Sequence, residues 1–228
     1  MDSDPIVIVS AVRTPIGAML GALSGLEATD LGAVVIKAAV ERAGIAPDQV
    51  QEVLMGCVLP AGQGQAPARQ ATLKAGLPPS TGATTLNKVC GSGMKAVMLA
   101  HDLIRAGSQD VVVAGGMESM TNAPYLLKKA RGGYRLGHDK IYDHMMLDGL
   151  EDAYEEGRSM GLFGEDCAAK YNFTRQMQDD FAMASVQRAQ QAIASGAFKD
   201  EITPVTIKDR KGERVVDTDE GPGRIKPE

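Results

Sequence analysis

Apolar positions along the chain fall into two alternating patterns. Short continuous apolar runs occur at Ile6–Val12, Val53–Val58 and Asp110–Met117, and Gly82–Asn87 is a short β-prone run that can end a strand. Continuous rather than alternating runs predict strands buried on both faces, as in a parallel sheet. Between them lie segments with helical spacing. Thr29 or Asp30 can cap a helix to about Ala43, with Leu31, Val34, Val35, Ala38 and Ala39 on its apolar side. Gly44 closes it. Gln63 to Gln70 reads as a polar helix start, continued through Ala75 and stopped by Gly76 and Pro78-Pro79. Ser92 to Ala106 reads as a third helix, ended by Gly107. The resulting β-α-β-α-β-α-β order predicts an α/β fold with a mainly parallel sheet and helices on both faces.

The pattern changes after about Met120. Residues 121 to 157 carry Gly, Lys, Arg, Tyr, Asp and Met with weak periodicity, which is too long for a plain connection. The spacing then predicts a helix over 159–171 with Met160, Phe163, Cys167 and Tyr171 on one face, which would place Cys167 in a core. A second helix is predicted from Thr174 to Ser195, with Phe181, Ala184, Ala189 and Ile193 inward. Ile202–Ile207 and Glu213–Val216, joined through Asp209-Arg210-Lys211-Gly212, predict a β-hairpin. Residues 217–228 read as a loop. Residues 1–120 thus read as a sheet core, and the long stretch that opens 121–228 is either functional or part of an inserted α+β subdomain.

Composition narrows the class. With 44% hydrophobic and 23% charged residues the chain reads as globular. Trp is absent and aromatics are 4%, so the core must be aliphatic, with Ala and Met prominent. The formal charge of −5, with no basic stripe, argues against nucleic acid as a partner. No apolar stretch approaches the ~18 residues of a membrane span, and the acidic start Met1-Asp2-Ser3-Asp4-Pro5 resembles neither a signal peptide nor a transit peptide. The three cysteines, Cys57, Cys90 and Cys167, form no disulfide framework or metal motif. A reducing, cytoplasmic setting is the expectation.

Cys90 is the candidate for chemistry. It sits where the third strand gives way to the helix at Ser92, at the carboxyl end of a parallel strand where active groups gather. Helix-start N–H groups and the helix dipole favour a thiolate there. Gly91 and Gly93 leave room for a substrate to approach the backbone. Cys57, inside the second strand, reads as core. A cysteine nucleophile needs a base. His101 lies eleven residues along the same helix, roughly 16 Å away, beyond hydrogen-bond reach. His138 and His144 lie in the irregular segment and read as solvated. Asp139, Asp143, His144 and Asp148 have metal-capable side chains without a metal-binding spacing, so no metal is expected. No phosphate-loop pattern occurs.

The stretch Asn87-Lys88-Val89-Cys90-Gly91-Ser92-Gly93-Met94 resembles the acyl-enzyme signature of the thiolases, the acetyl-CoA C-acetyltransferase family. Arg13-Thr14-Pro15-Ile16-Gly17, Gly64 to Gln70, Gly115 to Met120 with Ala123-Pro124-Tyr125, Asp148-Gly149-Leu150, Met160-Gly161 and Phe198 to Ile202 resemble further family stretches in the same order. The resemblance implies a thiolase-like fold with an inserted loop domain. It implies that Cys90 takes an acyl group from an acyl-CoA, to form or cleave a 3-ketoacyl-CoA such as acetoacetyl-CoA. Coenzyme A thioesters would be substrates, with no further cofactor. Leu150 and Met160 would wall the CoA pocket and Arg224 would approach the nucleotide. A homo-oligomer of two or four copies is also implied.

Ser159-Met160-Gly161 stands where many biosynthetic members carry His-Met before the glycine, which leaves the acyl-chain preference open. The family's activating histidine, second cysteine, Asn-held water, fifth strand and C-terminal half-domain fall beyond the residues seen here. The expected function is therefore an acyl-CoA C-acyltransferase that is inactive or poorly stable as this stretch alone. The alternatives are a non-catalytic thiolase-like module binding CoA or a partner, and a related condensing enzyme such as a ketoacyl synthase, against which the loop-domain stretches argue.

Overall fold

The computed structural model describes residues 5–210 and 212–225. The first helix, α1 (Ala28–Ala43), is followed by β1 (Glu52–Gly56), α2 (Pro67–Lys74), β2 (Gly82–Leu86), α3 (Ser92–Arg105) and β3 (Val112–Gly116). The three strands form one parallel sheet in the order β2-β1-β3. Gly56, at the end of β1, lies opposite Leu86 and Gly116, so all three strands end at one edge of the sheet.

Alternate residues of β1 serve two layers, as the period of two requires. Val53 and Met55 pack with Ile36 and Val40 of α1 and with Ala68 and Ala71 of α2. Leu54 faces the other way, onto Ala96 and Ala100 of α3. Helices therefore cover both faces, and the core is built from small aliphatic side chains. The close approach of α1 to α2 depends on Gly32, where a Cβ would lie 2.5 Å from Met117 Sδ and 3.1 Å from Ala71 Cβ. Helix α1 starts two residues earlier than a Thr29 cap would place it. Glu27 is its N-cap residue, and the Glu27 N–H donates to the Asp30 carboxylate at 3.1 Å. Helix α2 begins only at Pro67, because Gly64 and the N-cap residue Ala66 hold positive φ values that break the Gln63 start.

The run Ile6–Val12 departs from the reading as a buried strand. It joins no ladder, and none of its backbone groups makes a backbone hydrogen bond among the described residues. Val7, Ile8 and Val9 are 65%, 78% and 67% exposed. Adjoining cavities of about 330 and 370 Å³ lie between this run and β3. A strand is buried on both faces only when sheet neighbours bring the covering layers across it, and here both the run and the outer edge of β3 lack that neighbour.

The second segment holds a short antiparallel pair, β4 (Tyr125–Leu126) with β5 (Tyr142–Asp143), then a single π-turn at Met146–Leu150. Two helices follow, α4 (Met160–Lys170) and α5 (Arg175–Ser195). The predicted hairpin is present as β6 (Val205–Asp209) and β7 (Gly212–Val216), and the presumed terminal loop contains a short helix, α6 (Glu220–Arg224). Val205 and Ile207 pack against Leu23, Leu31 and Val34 on the side of α1 away from the sheet. Arg13 bonds the Asp219 carboxylate at 2.7 and 2.9 Å and Glu201 at 2.5 Å, with its guanidinium over the Phe198 ring.

The predicted inward faces of α4 and α5 are not core. Neither helix has a buried residue, Cys167 is exposed, and Phe181 is 78% exposed. The helical spacing is real, but Cys167 and Phe181 lie bare, while Ala184, Ala189 and Ile193 are only half-buried. No described helix is long and apolar enough to cross a membrane.

Candidate active site

Cys90 sits on a tight turn between β2 and α3. Val89 adopts φ 47, the left-handed region that a β-branched side chain resists, so the turn carries strain. Side chains hold it in place. The Val89 N–H donates to Asn87 Oδ1 at 2.8 Å, and Asn87 Nδ2 donates to the Val58 carbonyl at 3.3 Å. Ser92 Oγ accepts from the Lys88 N–H at 2.8 Å and donates to the Val89 carbonyl at 2.6 Å. The sulfur is thereby presented as an exposed thiol, while Cys57 is buried.

The start of α3 lies directly on the ends of β1 and β3. A Cβ on Gly56 would meet Ser92 Cβ at 2.6 Å, and one on Gly93 would lie 3.8 Å from the Gly115–Gly116 backbone. Gly93 also lines the cavity that Cys90 faces, and its contact with the Gly115–Gly116 backbone is an ordinary van der Waals distance.

Cys90 opens into a cavity of about 290 Å³. Its walls come from three places: Val58 and Leu59 after β1, Met117, Glu118 and Met120 after β3, and Gly149 and Leu150 from the π-turn. Of the residues predicted to bind substrate, Leu150 lines this cavity with Cys90. Met160 and Arg224 do not. Met160 is 54% exposed at the start of α4, and Arg224 pairs with Glu220 at 2.7 Å on α6.

Glu118 was missed by sequence reasoning as a site residue. Its carboxylate accepts the N–H groups of Val58 at 2.8 Å and Leu59 at 3.1 Å, and so joins the ends of β1 and β3. Its position just past an apolar strand ending Gly115-Gly116 was the available signal. Glu118 also approaches Cys57 Sγ, at 3.7 Å. Burial first, and then the nearby carboxylate, push the Cys57 thiol up to about 11. Cys57 therefore stays protonated at neutral pH and is no competing nucleophile.

Among the described residues no histidine lines the Cys90 cavity. His101 is exposed on α3 beside Asp102, and His138 is exposed. His144 corrects the reading as solvated: it is 4% exposed and bonds Asp148 at 2.6 Å. Asp139 pairs with Lys129 at 2.9 Å. Among the described residues no group of three or more His, Cys, Asp or Glu could hold a metal.

A parallel α/β sheet with a cysteine on a strained turn between strand end and helix start, above an apolar slot, defines a class: α/β proteins that present an exposed thiol at the carboxyl ends of their strands. The sequence profile of the thiolase N-terminal domain matches residues 6–225, and the chain belongs to the thiolase family. It is 53% identical over 235 residues to an acetyl-CoA acetyltransferase of Thiocystis violacea, covering 99% of this chain and 59% of that protein. It is 53% identical over 210 residues to an acetyl-CoA acetyltransferase of Cupriavidus necator, covering 92% of this chain and 53% of that one. With acetyl-CoA acetyltransferase 2 of Arabidopsis thaliana it shares 52% over 222 residues, 96% and 55% of the two chains. The chain thus spans 53 to 59% of the length of these curated relatives.

Proposed function

We propose that this chain carries the acyl-accepting part of a thiolase, with Cys90 as the nucleophile. The Cys90 sulfur attacks the thioester carbonyl carbon of an acyl-CoA. The carbon–sulfur bond to CoA breaks, CoA leaves as its thiol after taking up a proton, and the acyl group rests on Cys90. The N–H groups at the strained turn are suited to stabilise the developing oxyanion. The acyl group occupies the slot walled by Leu59, Met120 and Leu150. Met160 and Arg224 are proposed to meet the CoA beyond the slot, both from solvent-facing positions. Attack by a second, α-deprotonated acyl-CoA would give a 3-ketoacyl-CoA, with acetoacetyl-CoA the simplest product; the reverse step is thiolysis.

One observation carries this reading: Cys90 is the exposed thiol that opens into a cavity at the strand ends of the sheet. The acetyl-CoA acetyltransferase names of the relatives support acetyl-CoA as substrate. The three free thiols fit a reducing, cytoplasmic setting. Division at residue 120 into a core and a CoA-binding loop domain belongs to the same proposal, as does assembly into a homo-oligomer.

The test is incubation with acetyl-CoA followed by peptide-resolved mass spectrometry. An acetyl group on the Cys90 peptide, lost in Cys90→Ser, is the expected result. An adduct on Cys57 or Cys167 alone, or none, overturns the assignment. If acetyl-CoA binds without acylating any thiol, the chain is a CoA-binding module and not an acyl carrier.

A further inference from the structure

His144 stands between the two walls of the Cys90 slot. Its Nε2 accepts the N–H of Ala61 at 3.4 Å, and its Nδ1 faces Asp148 Oδ2 at 2.6 Å. Because a backbone N–H donates to Nε2, that nitrogen bears the lone pair, and the ring proton is on Nδ1, donated to the carboxylate. Ala61 lies two residues past Leu59 on one wall. Asp148 immediately precedes Gly149 and Leu150 on the other. The walls meet at Gly149, where a Cβ would come within 3.4 Å of Leu59 Cδ2. The His144 N–H also donates to the Pro124 carbonyl at 3.1 Å, which fixes the ring's backbone.

We propose that His144 is a positioning residue that sets the width of the slot at Cys90, and through it the size of the acyl group the slot admits. The inference rests on Cys90 being the acyl carrier; the geometric claim, that the imidazole ties the Leu59 wall to the Leu150 wall, stands without it. The tie acts through two hydrogen bonds on opposite sides of one ring. Its loss frees the Ala61 N–H and the Asp148 carboxylate together and lets the π-turn move away from Leu59. Bulky groups then gain access to Cys90 relative to small ones.

The test alkylates the whole chain with iodoacetamide or with N-benzyl iodoacetamide and follows each cysteine by mass spectrometry. The ratio of bulky to small rate constants at Cys90 reports slot width, and the ratio at exposed Cys167 is the internal reference. His144→Ala is expected to raise the Cys90 ratio about fivefold, the factor one hydrogen bond is worth, without moving the Cys167 ratio. His144→Gln, which keeps an acceptor and a donor, is expected to recover part of the difference. If His144→Ala does not fold, Asp148→Ala against Asp148→Asn decides: only the former loses the acceptor and should raise the ratio. An unchanged Cys90 ratio in a folded variant, or an equal change at Cys167, overturns the proposal. Failure of acetyl-CoA to acylate Cys90 would instead remove the acyl-carrier reading, and the alkylation ratios would still decide the role of His144.

Discussion

Gly56 shows how closely single residues constrain this site. Its missing side chain lets the backbone at Ser92 rest on the end of β1, and a methyl group there would lie 2.6 Å from Ser92 Cβ. Gly56→Ala is therefore expected to cost about 1–3 kcal/mol through overpacking, read from the urea midpoint, and to slow Cys90 alkylation by displacing the turn. Arg13 acts from the other side of α1. It holds Asp219, 8% exposed, and Glu201, while 29% of its own side chain faces water. Arg13→Ala is expected to destabilise the chain by about 2 kcal/mol, less than the ~3–5 kcal/mol of a fully buried pair because solvent screens part of the loss. The Arg13 guanidinium holds the Asp219 carboxyl below its ordinary range, and the N–H groups of Ala18 and Ala22 do the same for Glu220. Depressed carboxyl values contribute stability that is present above the unfolded value of about 4 and is lost as pH falls through the folded values. Thermal melts should fall steeply below about pH 4, and the drop should be smaller in Arg13→Ala. Cys90 was legible at this scale because strand end, helix start and glycines coincide in sequence. His144 was not, because burial of a loop histidine depends on contacts with Ala61 and Pro124, which lie far from it in the chain.

At the scale of elements, the sheet strands and helices α1 to α3 follow from local pattern. Apolar runs of strand length, αL glycines such as Gly44 and the proline after it fix their type and ends. Cover is not local. Helices α4 and α5 have helical periodicity and a hydrogen-bonded cap at Thr174, yet no buried residue. The run Ile6–Val12 has the composition of a central strand and lacks the ladder. Protection should follow burial and pairing rather than composition. Hydrogen exchange is expected to be at least ~100-fold faster in residues 6–12 and in α5 than in β1 and the middle of α1. Equal protection in residues 6–12 and β1 would refute this account of the groove.

For the whole molecule, the decisive feature is unfilled apolar surface. The groove between residues 6–12 and β3 adjoins exposed Val7, Ile8 and Val9, and the exposed stripe of α5 adds Met177 and Phe181. Apolar area of this kind marks an association site. The isolated chain is expected to enhance the fluorescence of an anilinonaphthalene sulfonate probe and to self-associate with rising concentration in sedimentation. Ile8→Lys should weaken both. In the same way, no histidine among the described residues lines the Cys90 cavity, so turnover of acetoacetyl-CoA by these 228 residues is expected to be slow, read as loss of acetoacetyl-CoA with added CoA.

The sequence by itself determined the α/β class, the family and the order of elements from α1 to β3, and it singled out Cys90 as the candidate for chemistry. Each depends on residue types at short range: apolar runs, glycine and proline stops, and a thiol at a strand-to-helix junction. The tertiary structure decided which apolar faces are covered, that Leu150 shares the Cys90 cavity while Met160 and Arg224 lie outside it, and that Glu118 and His144 tie its walls together. Those facts depend on contacts between segments far apart in the chain, and one periodicity is compatible with both a covered face and a bare one.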